Sequence, residues 1–249
     1  MLNFERIKHI KENIFFKRII IALLAFVIFL YLKSFFTTGV YYDGIFLKKD
    51  TISNATHYIG KSNQGDIHII VNGRASDKSE STAEVVFNLP NSINEHYKVN
   101  FSNEEKWFLG NLEIKDKNNN TIFKGKYQKG NMFLYDLNNE PIIEGYIISV
   151  TNDKNEVTYD NSYRVPFISI VQFSLHEKES IRGNGAMLFA ATVLIFITFI
   201  DIKYPLFFFQ LRHSFEVEDP RPTEFYISMQ RLGWGINSVL ALVLLVMAI

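Results

Sequence analysis

Apolar residues gather near the two ends of the 249-residue chain, and the stretch between them is polar with short apolar runs. The first long run is Ile19 to Leu32, extended past Lys33 by Ser34, Phe35 and Phe36. As a helix, 19–36 is about 27 Å long, close to the hydrocarbon thickness of a bilayer. Lys33 lies near its end, where the aliphatic stem can stay in lipid while the ammonium reaches water. A second run covers Gly185 to Ile200, and a third, Leu232 to Ile249, carries no charge. The pattern predicts transmembrane helices at 19–36, 185–200 and 232–249. Phe4, Ile7, Ile10, Ile14 and Phe15 recur at helical spacing with basic residues between them, so 4–15 reads as an amphipathic helix on the inner leaflet.

The middle of the chain has a different period. Ile67–Val71, Ala83–Phe87, Pro141–Ile148 and Phe167–Phe173 are short, rich in β-branched and aromatic residues, and bounded by Asn, Asp and Gly. Nine or ten such runs predict an antiparallel all-β domain over 37–184, as a sandwich, meander or open barrel. The fold class is therefore an integral membrane α+β protein. One repeat is visible: Gly110 to Gly125 aligns with Gly130 to Gly145, each reading strand, Asp/Asn turn, strand. Asparagine tolerates the positive φ of a tight turn, and aspartate can accept bonds from the backbone across it. Thr151 to Glu156 looks like a third, partial turn. The Asp-x-Asn-Asn spacing lacks the glycine and terminal glutamate of a calcium loop, so a β-turn accounts for it.

Charge sets the orientation. Residues 1–18 form a basic tail with Arg6, Lys8, Lys11, Lys17 and Arg18 against Glu5 and Glu12. Basic residues beside a first span stay cytoplasmic, which places 37–184 outside and the 201–231 loop inside. Bulky Lys33, Phe35 and Phe36 after the apolar run favour an uncleaved anchor over a signal peptide. Lys and Arg together number 26, as do Asp and Glu, so no basic surplus suggests nucleic acid. The chain has no cysteine, which excludes disulfides, thiolate catalysis and cysteine-held metals.

Catalytic motifs are not found. His57, His68, His96 and His176 stand far apart in sequence without metal-ligand spacing, and His68 reads as an outward-facing strand residue. Glu104 and Glu105 read as a solvated edge, and Trp107 and Phe108 as core aromatics or a binding surface. No cofactor or metal site is expected.

The most distinctive segment runs from Tyr204 to Gly233. Pro220-Arg-Pro222 breaks any helix, and Thr223 is placed to cap the helix leading into the third span. Glu224 and Arg231 lie two turns apart on one face. Gly233, Asn237 and Ala241 form a small, partly polar stripe suited to close helix contact. Phe207 to Phe209, Pro222-Thr223, Tyr226, Arg231 and Gly233 follow the pattern of a family that this segment resembles. That family comprises small bacterial hairpin membrane proteins, mainly from Firmicutes, defined only as a domain of unknown function. Arg221 replaces the acidic residue expected before the proline. The resemblance covers 185–249 and implies location and architecture, with Pro222, Thr223, Glu224, Tyr226, Arg231, Gly233 and Asn237 as candidate interaction residues at the inner membrane face.

The expected function is a non-enzymatic protein of a bacterial cell membrane, whose exported β domain binds or assembles with a protein partner. The alternative is a transmembrane sensor reporting through 201–231. A membrane-interface enzyme using acids such as Asp201 ranks third.

Overall fold

The computed structural model describes residues 14–73, 81–102, 110–143, 157–160, 162–213 and 221–249. Most of the 4–15 helix, Glu104, Glu105, Trp107, Phe108, Ile148 and the 151–156 turn lie outside the described residues. The chain forms two units, one of residues 38–181 and one made of 1–37 with 182–249.

The first unit is a single antiparallel sheet. Its strands are β1 (Thr38–Tyr42), β2 (Ile45–Ile52), β3 (Ala55–Ser62), β4 (Gly65–Asn72), β5 (Ser81–Leu89), β6 (Ile93–Ser102), β7 (Gly110–Lys115), β8 (Thr121–Tyr127), β9 (Leu134–Tyr135), β10 (Pro141–Ile142) and β11 (Ser180–Ile181). Each strand from β1 to β10 pairs with the next, and β11 closes onto β1, so the architecture is a meander. Two-residue turns set the register at the start. Asp43-Gly44 joins Tyr42 to its partner Ile45, and Ser53-Asn54 joins Ile52 to Ala55, all four turn residues having positive φ.

Alternation then sends one set of side chains to a core. Leu47, Tyr58, Ile67, Ile69, Val85, Phe87, Val99 and Ile114 are buried on one face, while His57, His68, Val86, His96 and Lys98 lie on the other. The two halves of the repeat make matching turns. Asn118 and Asn120 donate backbone N–H to Asp116 Oδ1, as Asn138 and Glu140 do to Asp136 Oδ1, each at 2.8 Å. Asn119 and Asn139 take the positive φ.

The domain is not all-β. Phe167–Phe173, expected as a strand, lies within the helix α2 (Phe167–Ser174), which follows Pro166. Phe167, Ile170, Val171 and Ser174 have helical spacing, and residues 170–174 are all buried. The sheet exposes one long apolar face that a further strand at its edge cannot cover. A helix laid across β5 and β6 covers it, at roughly 1.5–3 kcal/mol for each large apolar side chain buried.

The second unit contains α1 (Ile14–Phe35), α3 (Gly185–Lys203), the short α4 (Phe207–His213) and α5 (Glu224–Met247). The helix α4 lies inside the stretch read as a plain loop. Three of these helices, α1, α3 and α5, are long and apolar enough to cross a membrane. Antiparallel α3 and α5 pack along each other through small residues: Ala191 and Ala241 are buried, as is Thr198. Asn184 caps α3 with its side chain and donates its backbone N–H to Ala248 O at 2.8 Å.

Candidate functional site

Within the sheet unit, a cleft of about 160 Å³ opens between the β1–β2 turn and the C-terminal part of α2. Val40, Tyr41, Tyr42, Asp43, Tyr58 and Phe173 wall one part of it, and Ser169, Gln172, His176, Glu177 and Lys178 another. Asp43 is put there by the two-residue turn, whose left-handed backbone aspartate accepts. Tyr159 and Tyr163 reach it from a segment clamped to the far turns of the sheet. The Gln64 amide donates to Val157 O at 2.8 Å and accepts from Tyr159 N–H at 2.9 Å, and Asn91 Nδ2 donates to Tyr159 O.

A hydrogen-bond chain results. Tyr163 and Tyr159 hydroxyls both donate to Asp43 Oδ2, at 2.8 and 3.1 Å, and the Tyr42 hydroxyl lies 2.7 Å from that of Tyr163. With the Tyr163 proton on Asp43, Tyr42 donates to Tyr163. Burial raises the Asp43 carboxyl above its usual range, and the two tyrosine donors oppose the shift without cancelling it. Burial also pushes the Tyr42, Tyr159 and Tyr163 hydroxyls upward, so these groups stay protonated donors.

A second network borders the same cleft. Glu179 Oε1 accepts from Lys49 and from the Tyr58 hydroxyl, each at 2.7 Å, and His176 Nδ1 lies 2.8 Å from that hydroxyl. Burial acts against the Glu179 carboxylate, yet Lys49, Tyr58 and His176 together hold it below the usual range. Glu177 accepts from the Tyr127 hydroxyl and from Gly130 N–H. Every buried side-chain nitrogen and oxygen among the described residues has a partner.

The residues singled out from the sequence lie elsewhere, in the helical unit. Pro222 precedes α5, and Thr223 caps it, accepting from Tyr226 N–H at 3.2 Å. Glu224 opens the helix, and the Tyr226 ring lies 4.8 Å from that of Phe209. Arg231 is exposed and makes no ion pair with Glu224 among the described residues. Gly233 and Asn237 are half-buried on the side of α5 that carries Ala241.

What joins this region to α3 is a group outside that set. Asp201 accepts from Gln230 Nε2 at 2.8 Å and Trp234 Nε1 at 2.7 Å. Gln230 and Trp234 are four residues apart on one helical face, a signal present in the sequence.

Two of the histidines meet in space, although they are far apart in sequence. His57 and His68 are eleven positions apart, yet the pairing of β3 with β4 brings His57 Nδ1 to 2.8 Å from His68 Nε2. No group of three or more metal-ligating side chains occurs among the described residues. The cleft has weaker sequence signals: Asp43-Gly44 is a hairpin dipeptide, and Tyr159 and Tyr163 lie 116 and 120 residues away.

Fold and sites together define a protein with an antiparallel sheet unit and three helices of membrane-spanning length. Residues 190–248 match a family of unknown function, DUF6199, which covers α5 and most of α3. No curated protein and no solved structure matches the chain.

Proposed function

We propose that the chain is a membrane-anchored binding protein of a bacterial cell membrane. In this reading α1, α3 and α5 span the bilayer, the basic tail is cytoplasmic, and 37–184 stands outside to engage a ligand or partner. The cleft carries the binding reading. It is concave, walled by tyrosine, and its His176 and Glu177 are tied into protein networks instead of standing ready for proton transfer.

The helical unit supports the orientation. Gly183 N–H bonds Phe35 O at 2.9 Å, Arg182 N–H bonds Thr37 O at 2.8 Å, and Tyr31 donates to Leu245 O. The end of α1, the start of α3 and the end of α5 thus meet on one side. The chain leaves α1 and enters α3 at that side, at the end of α1 remote from Lys17 and Arg18. Side chains that face away from the α3–α5 contact are large and apolar, as hydrocarbon solvent requires.

Cysteine labelling tests the arrangement, because the native chain offers no thiol. In intact cells, a membrane-impermeant maleimide labels Lys61→Cys at once and Arg212→Cys only after lysis. Labelling of Arg212→Cys from outside, or protection of Lys61→Cys until lysis, overturns the orientation.

A further inference from the structure

The Asp43 carboxylate is half-buried and bonded by the protein on one side only. One oxygen, Oδ2, takes both tyrosine bonds, and Oδ1 has no hydrogen bond among the described residues. Asp43 forms no ion pair there with Lys, Arg or His, although Glu179, bonded to the cleft residue Tyr58, holds Lys49. Neutral donors soften the desolvation of a carboxylate but supply no opposite charge. Aspartate is not required by the turn either, since asparagine adopts the same backbone and offers the tyrosines the same acceptor oxygen. The carboxylate's charge therefore has no structural role that its amide would fail to fill.

Its surroundings suit one class of partner. Tyr41, Tyr42, Tyr58 and Phe173 line the cleft with Asp43. Aromatic rings with a carboxylate attract organic ammonium groups, through the negative ring faces and a charge-assisted hydrogen bond. Lys178, the cation lining this cleft, makes no ion pair with Asp43. The volume admits a single small ring or a short side chain.

We propose that this cleft binds a small primary ammonium group, with Asp43 as counter-ion through Oδ1 and the tyrosine rings as walls. The proposal rests on the binding reading above and names the ligand class of that site. An amino sugar, a lysine side chain and a free peptide N-terminus share this chemistry.

The test uses the purified full chain in detergent and two probes of equal shape, benzylammonium and benzyl alcohol, followed by calorimetric titration. Benzylammonium is expected to bind roughly tenfold more tightly or better, the scale of one hydrogen bond to a charged group. Asp43→Asn is expected to remove that preference while the unliganded protein unfolds at the same or a higher temperature. Tyr41→Ala, at the exposed rim, weakens both probes. Should Asp43→Asn not fold, the wild-type ratio of the two probes still decides. Equal binding of both probes that Tyr41→Ala weakens overturns the ammonium class and leaves the cleft as a binding site. No heat from either probe, with a folded protein, overturns the ammonium site. Glucose and glucosamine, tested next, then separate the readings: a response to either keeps the cleft as a binding site, and silence from both counts against binding as well.

Discussion

The two units bury opposite kinds of residue. In the sheet unit Phe87, Ile69, Leu47 and Val85 are fully enclosed, and the other face mixes polar His57, His68, His96 and Lys98 with partly exposed Ile59, Ile70 and Val86. Between α3 and α5 the enclosed residues are Ala191, Thr198, Ala241 and Ala248, while Phe189, Phe196, Val239 and Leu242 point outward. Water as solvent drives large apolar groups inward, which is the first arrangement. In hydrocarbon that drive vanishes, and helices associate through close backbone approach and polar bonds, which is the second. The same chain thus carries two solutions to packing, each suited to a different solvent.

The sharpest way to break this contrast is a matched pair of phenylalanine truncations. Phe87 is fully buried, with ring centroids of Tyr42, Phe173 and Tyr97 at 5.9, 5.6 and 6.1 Å. Phe87→Ala is expected to cost about 3–5 kcal/mol. Phe189 is 71% exposed, and Phe189→Ala is expected to stay within about 0.5 kcal/mol in detergent. Hydrogen exchange on the full chain reads the two units separately. Comparable losses at both positions would mean that Phe189 packs against protein, and the contrast would fail.

A middle-sized effect is expected at Asp201. Replacing it by alanine leaves Gln230 Nε2 and Trp234 Nε1 without their acceptor, at about 1 kcal/mol of helix association. Asp201→Asn keeps one acceptor oxygen and is expected to fall between alanine and wild type. Unfolding in increasing dodecyl sulfate, followed through the Trp234 emission in a Trp107→Phe background, checks the order. An Asp201→Ala protein as resistant as wild type would leave α3 and α5 held by small-residue contact alone.

How much of this was legible in advance depends on the range of the interactions. The three apolar helices and the antiparallel sheet follow from period and composition, because those signals are local. Alternation in Ile67–Val71 and Ala83–Phe87 marks their buried faces directly. Phe167–Phe173 misled because seven residues rich in Phe, Ile and Val are too short for their helical spacing to outweigh a strand-like composition, and the need to cover a sheet face decided for a helix. The cleft was not legible. Asp43 meets Tyr159 and Tyr163 only after the meander has brought distant turns together. The histidine pair was hidden for the same reason, since one strand pairing makes neighbours of residues that spacing keeps apart.

That pair gives the smallest effect and the finest test of which face of the sheet meets water. His57 lies opposite Ile70 and His68 opposite Ile59, with Asp50 across from His57 on β2 and the Glu84–His96 contact further along the same face. Burial, followed by the charge on His57, lowers the pKa of His68. The unfolded chain therefore takes up a proton at His68 before the folded one does, at pH values just below the ordinary 6.5 of histidine. Stability is full above 6.5 and falls as the pH drops from there through the folded pKa. The His68 Cε1–H resonance is expected to titrate below 6.5 and to move upward in His57→Ala, which removes the like charge but keeps the strand. A His68 that titrates at or above 6.5 in the wild type would require a nearby anion, and the outer face would then be shaped by charges other than this pair.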